Sequence, residues 1–243
     1  MSFSIVTRYN VRATFGLGDG SSYAMEDVND SAWLDERRDL FEQFCAPYVR
    51  AQNDQEFTWF VFVDNDMPQQ EVDWIIETGK CEVIRCASQT DGINQIRERI
   101  TAGYDMALTL RLDSDDSIAP SFVEQMRAAA ETESDAALES GEGRFICFSD
   151  GVEHDTRADK WFDREYPGNP FIGFMEPVVS GEPAKLIFHK SHYEIPKFYE
   201  GVTIATEGPM WCIRVHGGNV ANQVKGFASD QRPATFATAE DLV

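Results

Sequence analysis

The segment Met106-Ala107-Leu108-Thr109-Leu110-Arg111-Leu112-Asp113-Ser114-Asp115-Asp116 carries the strongest fold signal in this sequence. Its first five residues are apolar or β-branched, which predicts a strand buried in a sheet. Three carboxylates follow within four residues, and a helix is predicted to begin near Pro120, since proline favours the first helical turn. Ligands of open α/β sheets bind at the carboxyl ends of the strands. The acidic turn is therefore predicted to lie at a functional edge.

Strand and helix patterns alternate outward from this segment. Further strands are predicted at Phe3–Val6, Trp59–Val63, Cys81–Cys86, Arg144–Phe148, Lys185–His189 and Trp211–Val215, and helices at Trp33–Phe44, Pro68–Thr78, Ile93–Ile100 and Pro120–Thr132. This alternation with short connections predicts an α/β fold, a mostly parallel sheet flanked by helices in a single domain. Residues 150–180 are rich in Gly, Pro, Asp and aromatic residues and are predicted to form long loops.

The chain of 243 residues has 42 acidic and 21 basic residues, a net charge of −21. Such a surface repels phosphates, so we expect no nucleic acid partner. A bound nucleoside diphosphate would need a cation between itself and the protein, and a divalent metal ion would serve. The simpler interpretation of the charge is a solvated acidic surface.

Cysteine content and hydropathy indicate the compartment. The five cysteines are odd in number and form no Cys-x-x-Cys pair, which favours buried free thiols over a zinc site. No apolar run approaches the roughly 18 to 20 residues that span a bilayer. The N-terminus shows no signal-peptide pattern, so we expect a cytoplasmic protein without a transmembrane segment.

The acidic turn is the candidate metal site. Mg²⁺ and Mn²⁺ prefer oxygen ligands, and Asp113 and Asp115, two residues apart, would point to similar sides of an extended turn. We therefore predict that Asp113 and Asp115 bind Mn²⁺ or Mg²⁺, with Asp113 also able to reach a ribose. The alternative is that the acidic residues, Asp116 above all, favour the N-terminus of the following helix.

Several residues follow other strands at the same predicted edge. Thr7 and Arg8 follow the first strand and are candidates for a nucleotide base or phosphate, although Arg8 would also suit a surface salt bridge. Asp64 ends the second strand and would contact a nucleoside or form a turn. His216 follows the strand at Trp211–Val215 and is a candidate third metal ligand or phosphate contact.

Two further segments have ambiguous interpretations. Thr90 and Asp91 precede a helix that carries Arg97, and a helix N-terminus can hold a phosphate, but both residues also suit helix capping. His189 and His192 have a His-x-x-His spacing, which on a strand would put the two rings on opposite faces and so argues against a metal pair. Lys190 or His192 would instead line an acceptor site.

An ordered set of motifs resembles a known family. It comprises Val6–Val11, Trp33-Leu34 with Arg37 and Leu40-Phe41, Trp59–Phe62, Arg111–Asp116, Asn169–Phe171, and Met210-Trp211 through His216–Val220. Together these motifs resemble the putative rhamnosyltransferase family, which is similar to glycosyltransferases of the GT-A fold. The resemblance runs over about residues 3–223, and no single motif decides it.

This resemblance implies a GT-A-like, Rossmann-related domain that binds a nucleoside-diphosphate sugar. Asp113 and Asp115 match the Asp-x-Asp metal motif, His216 matches a late histidine on the metal or diphosphate, and Arg111 joins the nucleotide-sugar set. The implied reaction moves a sugar, rhamnose by the family's name, to a hydroxyl of a saccharide or other acceptor. The sequence shows no clear Glu-Asp pair for the catalytic base, so the candidates are Glu176 and Asp150.

The predicted domain covers residues 1–225, with a nucleotide-binding half at about 1–117, an acceptor half at about 118–225, and a tail at 226–243. Two alternatives remain open at this point. One is a sugar nucleotidyltransferase, although such an enzyme usually has a glycine-rich basic loop after the first strand, and here Gly16–Gly20 comes late and carries an acid. The other is a non-catalytic protein of the same fold that binds a nucleotide or carbohydrate. The sequence does not indicate the oligomeric state.

Overall fold

The computed structural model describes residues 1–12, 14–16, 22–24, 28–217, 223–229 and 232–236. The strands of this part of the chain are β1 (Ser2–Arg8), β2 (Thr14–Gly16), β3 (Ser22–Ala24), β4 (Thr58–Asp64), β5 (Glu82–Cys86), β6 (Met106–Asp113), β7 (Ser117–Ile118), β8 (Arg144–Phe148), β9 (Asp150–Asp155), β10 (Lys160–Glu165), β11 (Gly173–Pro177), β12 (Gly201–Ile204), β13 (Trp211–Val215) and β14 (Phe227–Ser229).

The helices lie mostly where the periodicity predicts them. They are α1 (Ser31–Leu40), α2 (Ala46–Arg50), α3 (Gln69–Gly79), α4 (Gln89–Thr101), α5 (Phe122–Ser140) and α6 (Ile195–Phe198), with a π-helical turn at Phe41–Cys45 and 3₁₀ turns at Ile187–His189 and Ala234–Phe236. Asp30 caps α1, because its carboxylate accepts from the backbone N–H groups of Ala32 and Trp33. None of the helices in this part of the chain is long and apolar enough to cross a bilayer.

The main sheet has seven strands in the order β12-β8-β11-β6-β1-β4-β5. Every neighbouring pair is parallel except the two pairs that β11 makes, with β6 and with β8. Ile93, Ile96 and Ile100 of α4 pack on one face, and α3, α5 and the Ser31–Arg50 helical segment cover the other. The predicted α/β fold with a mostly parallel, helix-flanked sheet is confirmed.

A second sheet, in the order β14-β10-β9-β13-β7, stands where the sequence predicted long loops. That prediction for residues 150–180 is wrong, since β9 and β10 form an antiparallel pair and β11 joins the main sheet. Described residues beyond the predicted boundary at residue 225 also contact the rest of the domain. β14 pairs with β10, and the buried ring of Phe236 packs against Tyr48 at a ring-centroid distance of 5.7 Å.

The predicted strand at Lys185–His189 is also wrong. Leu186 has a φ angle of +59°, which no strand residue adopts, and a 3₁₀ turn follows it. Leu186 and Ile187 are nevertheless buried. The apolar run resembles a strand because it packs over the main sheet, although it does not pair with a strand. This covering segment, residues 185–189, leads the chain from the end of β11 back toward the carboxyl ends of the parallel strands.

Candidate active site

Asp113 ends β6 at the carboxyl edge of the main sheet and lies opposite Arg8 in the parallel register with β1. Its Oδ1 accepts from Arg8 Nη2 at 2.8 Å and its Oδ2 from Arg111 Nη2 at 2.6 Å. Burial alone would raise the pKa of Asp113, but the charges of Arg111 and Arg8 outweigh it and hold the pKa well below its usual range. Asp113 is therefore an ionised group held between two arginines, and its role as a metal ligand stays a prediction.

Asp115 meets His216 across 101 residues of sequence. Asp115 Oδ2 lies 2.9 Å from His216 Nε2 and 3.2 Å from Arg37 Nη1, and both the aspartate and the histidine are buried. Burial raises the pKa of Asp115, while the hydrogen bond with His216 and the charge of Arg37 lower it below its usual value. On the far side of the imidazole ring, Nδ1 of His216 lies 3.2 Å from Glu36 Oε1.

Asp116 has a different role from its two neighbours. Its Oδ1 accepts from the backbone N–H of Arg214 in β13 at 2.9 Å, and it is almost fully buried. Burial, followed by the charges of Asp115 and Asp113, raises its pKa well above the usual range and so favours the protonated form. The expected service to the next helix is wrong, because α5 begins only at Phe122. Asp116 instead joins the acidic turn to β13, the strand that precedes His216.

Four arginines surround this acidic turn: Arg8, Arg37, Arg111 and Arg214. Arg214 is almost fully buried, donates to Ser117 Oγ at 3.2 Å, and lies 4.4 Å from the ring centroid of Phe44. Positive side chains therefore lie at this edge although the whole chain is strongly acidic. No sequence pattern indicates the roles of Arg37 and Arg214, since one lies on a helix and the other within a strand, each about 75 to 100 residues from the turn.

Two of the other candidates after β1 and β4 form internal contacts. Thr7 is fully buried and its Oγ1 accepts from Trp59 Nε1 at 2.9 Å, so the structure places its side chain in the core rather than at the predicted nucleotide site. Successive strand residues point to opposite faces, which places Arg8 at the site and Thr7 in the core. Asp64 is buried, accepts from Asn29 Nδ2 at 2.8 Å, and pairs with Arg12 at 3.1 Å, which supports the turn alternative.

The start of α4 shows the capping alternative. Ser88 is the N-cap residue, and the Asp91 carboxylate accepts from the backbone N–H of Ala87 at 2.9 Å. Thr90 is exposed. Arg97 donates to Asn94 Oδ1, two helical turns down α4. Burial raises the pKa of Glu176, and the charge of Arg97 is among the contributions that oppose this rise. Arg97 therefore lies toward Glu176 and away from the acidic turn, a placement that does not favour its predicted role at the nucleotide site.

The two candidate bases also lie outside the acidic turn. Glu176 pairs in register with Ala107, six residues before Asp113, which at about 3.3 Å per residue is roughly 20 Å away. Its carboxylate accepts from the backbone N–H groups of Lys185 and Leu186 at 2.9 and 2.7 Å. Glu176 thus anchors the covering segment, and this position does not favour its predicted role as a catalytic base.

Asp150 does follow β8 at the carboxyl edge, but its carboxylate accepts from Ser149 Oγ and from the backbone N–H of Thr206. It anchors the loop before β13 rather than facing the Asp115–His216 pair. An open cavity of about 390 Å³ lies beside this loop, lined in part by Ser121, Thr206 and Met210. Met210 precedes β13 and His216 follows it, so the length of β13 separates this part of the cavity from His216.

Comparison with known proteins identifies the family. Residues 19–227 match the family described as "putative rhamnosyl transferase". The chain belongs to this family, which confirms the resemblance and the glycosyltransferase class predicted from the sequence. No curated protein sequence matches the chain.

Solved structures similar to this chain include S. aureus TarS, with 11% identity and a TM-score of 0.48 over 88% of this chain and 37% of TarS. The structure of TarS 1-349 in complex with UDP gives 12% identity and a TM-score of 0.45, covering 88% of this chain and 61% of that one. The complex of TarS 1-349 with UDP-GlcNAc gives 11% identity and a TM-score of 0.42, with coverages of 90% and 60%. The chain thus spans less than two thirds of the length of each.

Proposed function

We propose that this member of the rhamnosyl transferase family transfers a sugar from a nucleoside-diphosphate sugar to a hydroxyl group of a saccharide or other acceptor. The observation that carries the proposal is the meeting of Asp115 and His216 at the carboxyl edge of the sheet, beside Arg8 and Arg111. This edge is where ligands of open α/β sheets bind. The family description makes rhamnose the first donor sugar to test.

The arginines account for how an acidic chain receives an anionic donor. Arg8 and Arg111 together exceed the charge of Asp113 by one, so the local balance is positive although the whole chain carries −21. A fixed positive group that faces the leaving diphosphate stabilises charge that grows as the sugar departs. We therefore assign Arg8 and Arg111 to the diphosphate side of the site.

We further propose that Asp115 and His216 bind Mn²⁺ or Mg²⁺. Within the described ranges no group of three or more His, Cys, Asp or Glu side chains is placed to hold a metal ion. A pair still fits such a cation, because Mg²⁺ often takes one or two protein ligands together with substrate phosphates. The Glu36 carboxylate at His216 Nδ1 is the type of outer contact that orients metal-binding histidines. A bound cation would neutralise charge on the leaving diphosphate.

Two alternatives differ in what they bind or release. A sugar nucleotidyltransferase would release pyrophosphate from a nucleoside triphosphate, and a binding protein would release nothing. The glycine-rich segment that bears on the first alternative lies largely outside the described residues. The match to the rhamnosyl transferase family favours the transferase over both alternatives.

The test begins with calorimetry of UDP, GDP and dTDP, each with and without Mn²⁺. We expect one of them to bind, and to bind more tightly with the metal ion. The rhamnose and glucose forms of that nucleotide are then assayed for release of the nucleoside diphosphate, using Asp115→Asn and, as a matched control, the exposed Asp105→Asn. Failure of all three nucleotides to bind would refute the proposal, as would full activity of Asp115→Asn.

A further inference from the structure

His192 brings a second nitrogen-bearing group to the Arg111 side of the site. It lies on the turn between the Ile187–His189 3₁₀ turn and α6, and its Nδ1 lies 3.3 Å from Arg111 Nη1. A guanidinium can only donate hydrogen bonds, so Nδ1 must be the acceptor in this contact. In a neutral imidazole the hydrogen then resides on Nε2. The contact with Arg111 thus fixes which nitrogen of His192 is the donor.

The Nε2 donor of His192 has no acceptor. Its nitrogen is buried and has no hydrogen-bond partner among the described residues, and the same is true of Nε of Arg111. Buried donors without acceptors are rare in folded proteins, because each loses its hydrogen bonds to water without replacement. The unpartnered Nε2–H of His192, next to the charge of Arg111, indicates a place where an oxygen from outside the protein completes the contact.

The surroundings keep His192 neutral. Burial, and then the charge of Arg111, lower its pKa to about 3, with Asp113 opposing and Arg8 reinforcing the shift. The ring therefore keeps one lone pair on Nδ1 and one hydrogen on Nε2 at neutral pH. An imidazole in this state has no lone pair on Nε2 with which to deprotonate an acceptor hydroxyl.

We propose that His192 Nε2–H binds an oxygen of the donor's diphosphate group. A phosphate oxygen only accepts, which matches an N–H donor, whereas a hydroxyl would bring a hydrogen that also needs an acceptor. The positive balance of Arg8 and Arg111 over Asp113 favours an anionic oxygen at the same place. This assignment rests on the proposed function and makes His192 a recognition residue for the diphosphate rather than a base.

Three variants and one probe test the assignment. His192→Leu removes the donor, His192→Gln keeps an amide N–H at a similar reach, and His189→Gln is the control, since both of its ring nitrogens already have partners, Leu186 O and Tyr199 Oη. Inorganic pyrophosphate with Mn²⁺ is the probe, since it has no nucleobase. Its dissociation constant is measured by calorimetry at pH 7.5. We expect His192→Leu to weaken its binding at least ~10-fold and His192→Gln to stay within about threefold of wild type. Thermal melting identifies variants that have lost the fold.

Two outcomes separate this assignment from the proposed function. If wild type binds neither pyrophosphate nor any of UDP, GDP and dTDP, both are overturned. If wild type binds them and a folded His192→Leu binds them equally well, only the His192 assignment is overturned. Nitrogen NMR of histidine-labelled protein gives an independent check on the ligand-free chain. We expect the hydrogen of His192 on Nε2, and a hydrogen on Nδ1 would overturn the assignment.

Discussion

His216 Nε2 lies 2.9 Å from Asp115 Oδ2, and His216 Nδ1 lies 3.2 Å from Glu36 Oε1, so one imidazole ring joins two carboxylates. The inner carboxylate is buried and the outer one is half-exposed. The ring therefore connects the interior of the site with the surface of α1. In the proposed metal site, Asp115 would contact the metal ion, whereas Glu36 would orient the ligand His216.

Asp115→Asn is expected to abolish metal-stimulated release of nucleoside diphosphate from the donor sugar, with a loss of at least ~100-fold. The amide has no charge to hold the cation and donates where the carboxylate accepted. The measurement is the rate of nucleoside diphosphate release at saturating Mn²⁺. The exposed Asp105→Asn should keep the wild-type rate, and equal rates in the two variants would contradict the metal assignment.

Glu36→Gln is expected to weaken Mn²⁺ binding roughly 10- to 100-fold, because the carboxylate that orients His216 is lost while both proposed ligands remain. Titration of the protein with Mn²⁺, followed by electron paramagnetic resonance, gives the affinity. Asp35→Asn on the same exposed surface of α1 is the matched control. A Glu36→Gln variant with unchanged Mn²⁺ affinity would show that Glu36 does not act on the metal ion.

Asp113→Ala is expected to lower the free energy of unfolding by about 3 kcal/mol, since it leaves the partly buried guanidinium groups of Arg8 and Arg111 without their shared carboxylate. Urea denaturation at pH 7 measures the change. Asp66→Ala removes a carboxylate that is 78% exposed and should change stability by less than about 0.5 kcal/mol. Similar losses in both variants would mean that the two arginines gain little from Asp113.

Asp54 is expected to give the fold part of its acid sensitivity. A hydrogen bond from Arg127 Nε at 2.5 Å is the main cause that lowers the pKa of Asp54 below its usual value of about 4. Because the pKa of Asp54 is lower in the folded than in the unfolded state, its ionised form stabilises the fold at pH values above the unfolded-state pKa. This stabilisation is lost as the pH falls through the folded-state pKa. The measurement is the free energy of unfolding in urea at pH 6 and at pH 3. The loss caused by Asp54→Asn, relative to wild type, should be larger at pH 6 than at pH 3. Exposed Asp135→Asn should show no such pH dependence.

Continuous buried runs made several strands predictable. β4, β6 and β8 of the main sheet and β13 of the second sheet are buried along nearly their whole length, so their sequences are mostly apolar. β9 and β10 were not predicted, because Gly, Asp and His residues interrupt them and β10 alternates between the core and solvent. The covering segment around Leu186 was predicted as a strand but is not one. Its residues are apolar because they are buried, and they do not pair with a neighbouring strand.

The candidate site was predictable for residues whose position follows from the end of a strand. It was not predictable for residues whose role depends on the direction of the side chain. The carboxyl-edge rule brings Arg8, Asp113, Asp115 and His216 together, as the structure shows. It cannot tell that Thr7 points into the core, or that the antiparallel direction of β11 carries Glu176 to the opposite edge. Arg37 and Arg214 reach the turn only through packing of the helical segment and the second sheet, which no local pattern records.

The pairing of Asp115 with His216 links ligand binding to folding. Asp115 follows a strand of the seven-stranded sheet and His216 a strand of the five-stranded one, so an unfolded chain keeps the two residues apart. A ligand that binds both therefore recognises only the folded state, and at 100 times its dissociation constant it would raise the free energy of unfolding by about 2.7 kcal/mol. The melting temperature of the whole chain thus becomes a readout of occupancy, and donor supply would govern how long the protein persists against proteolysis.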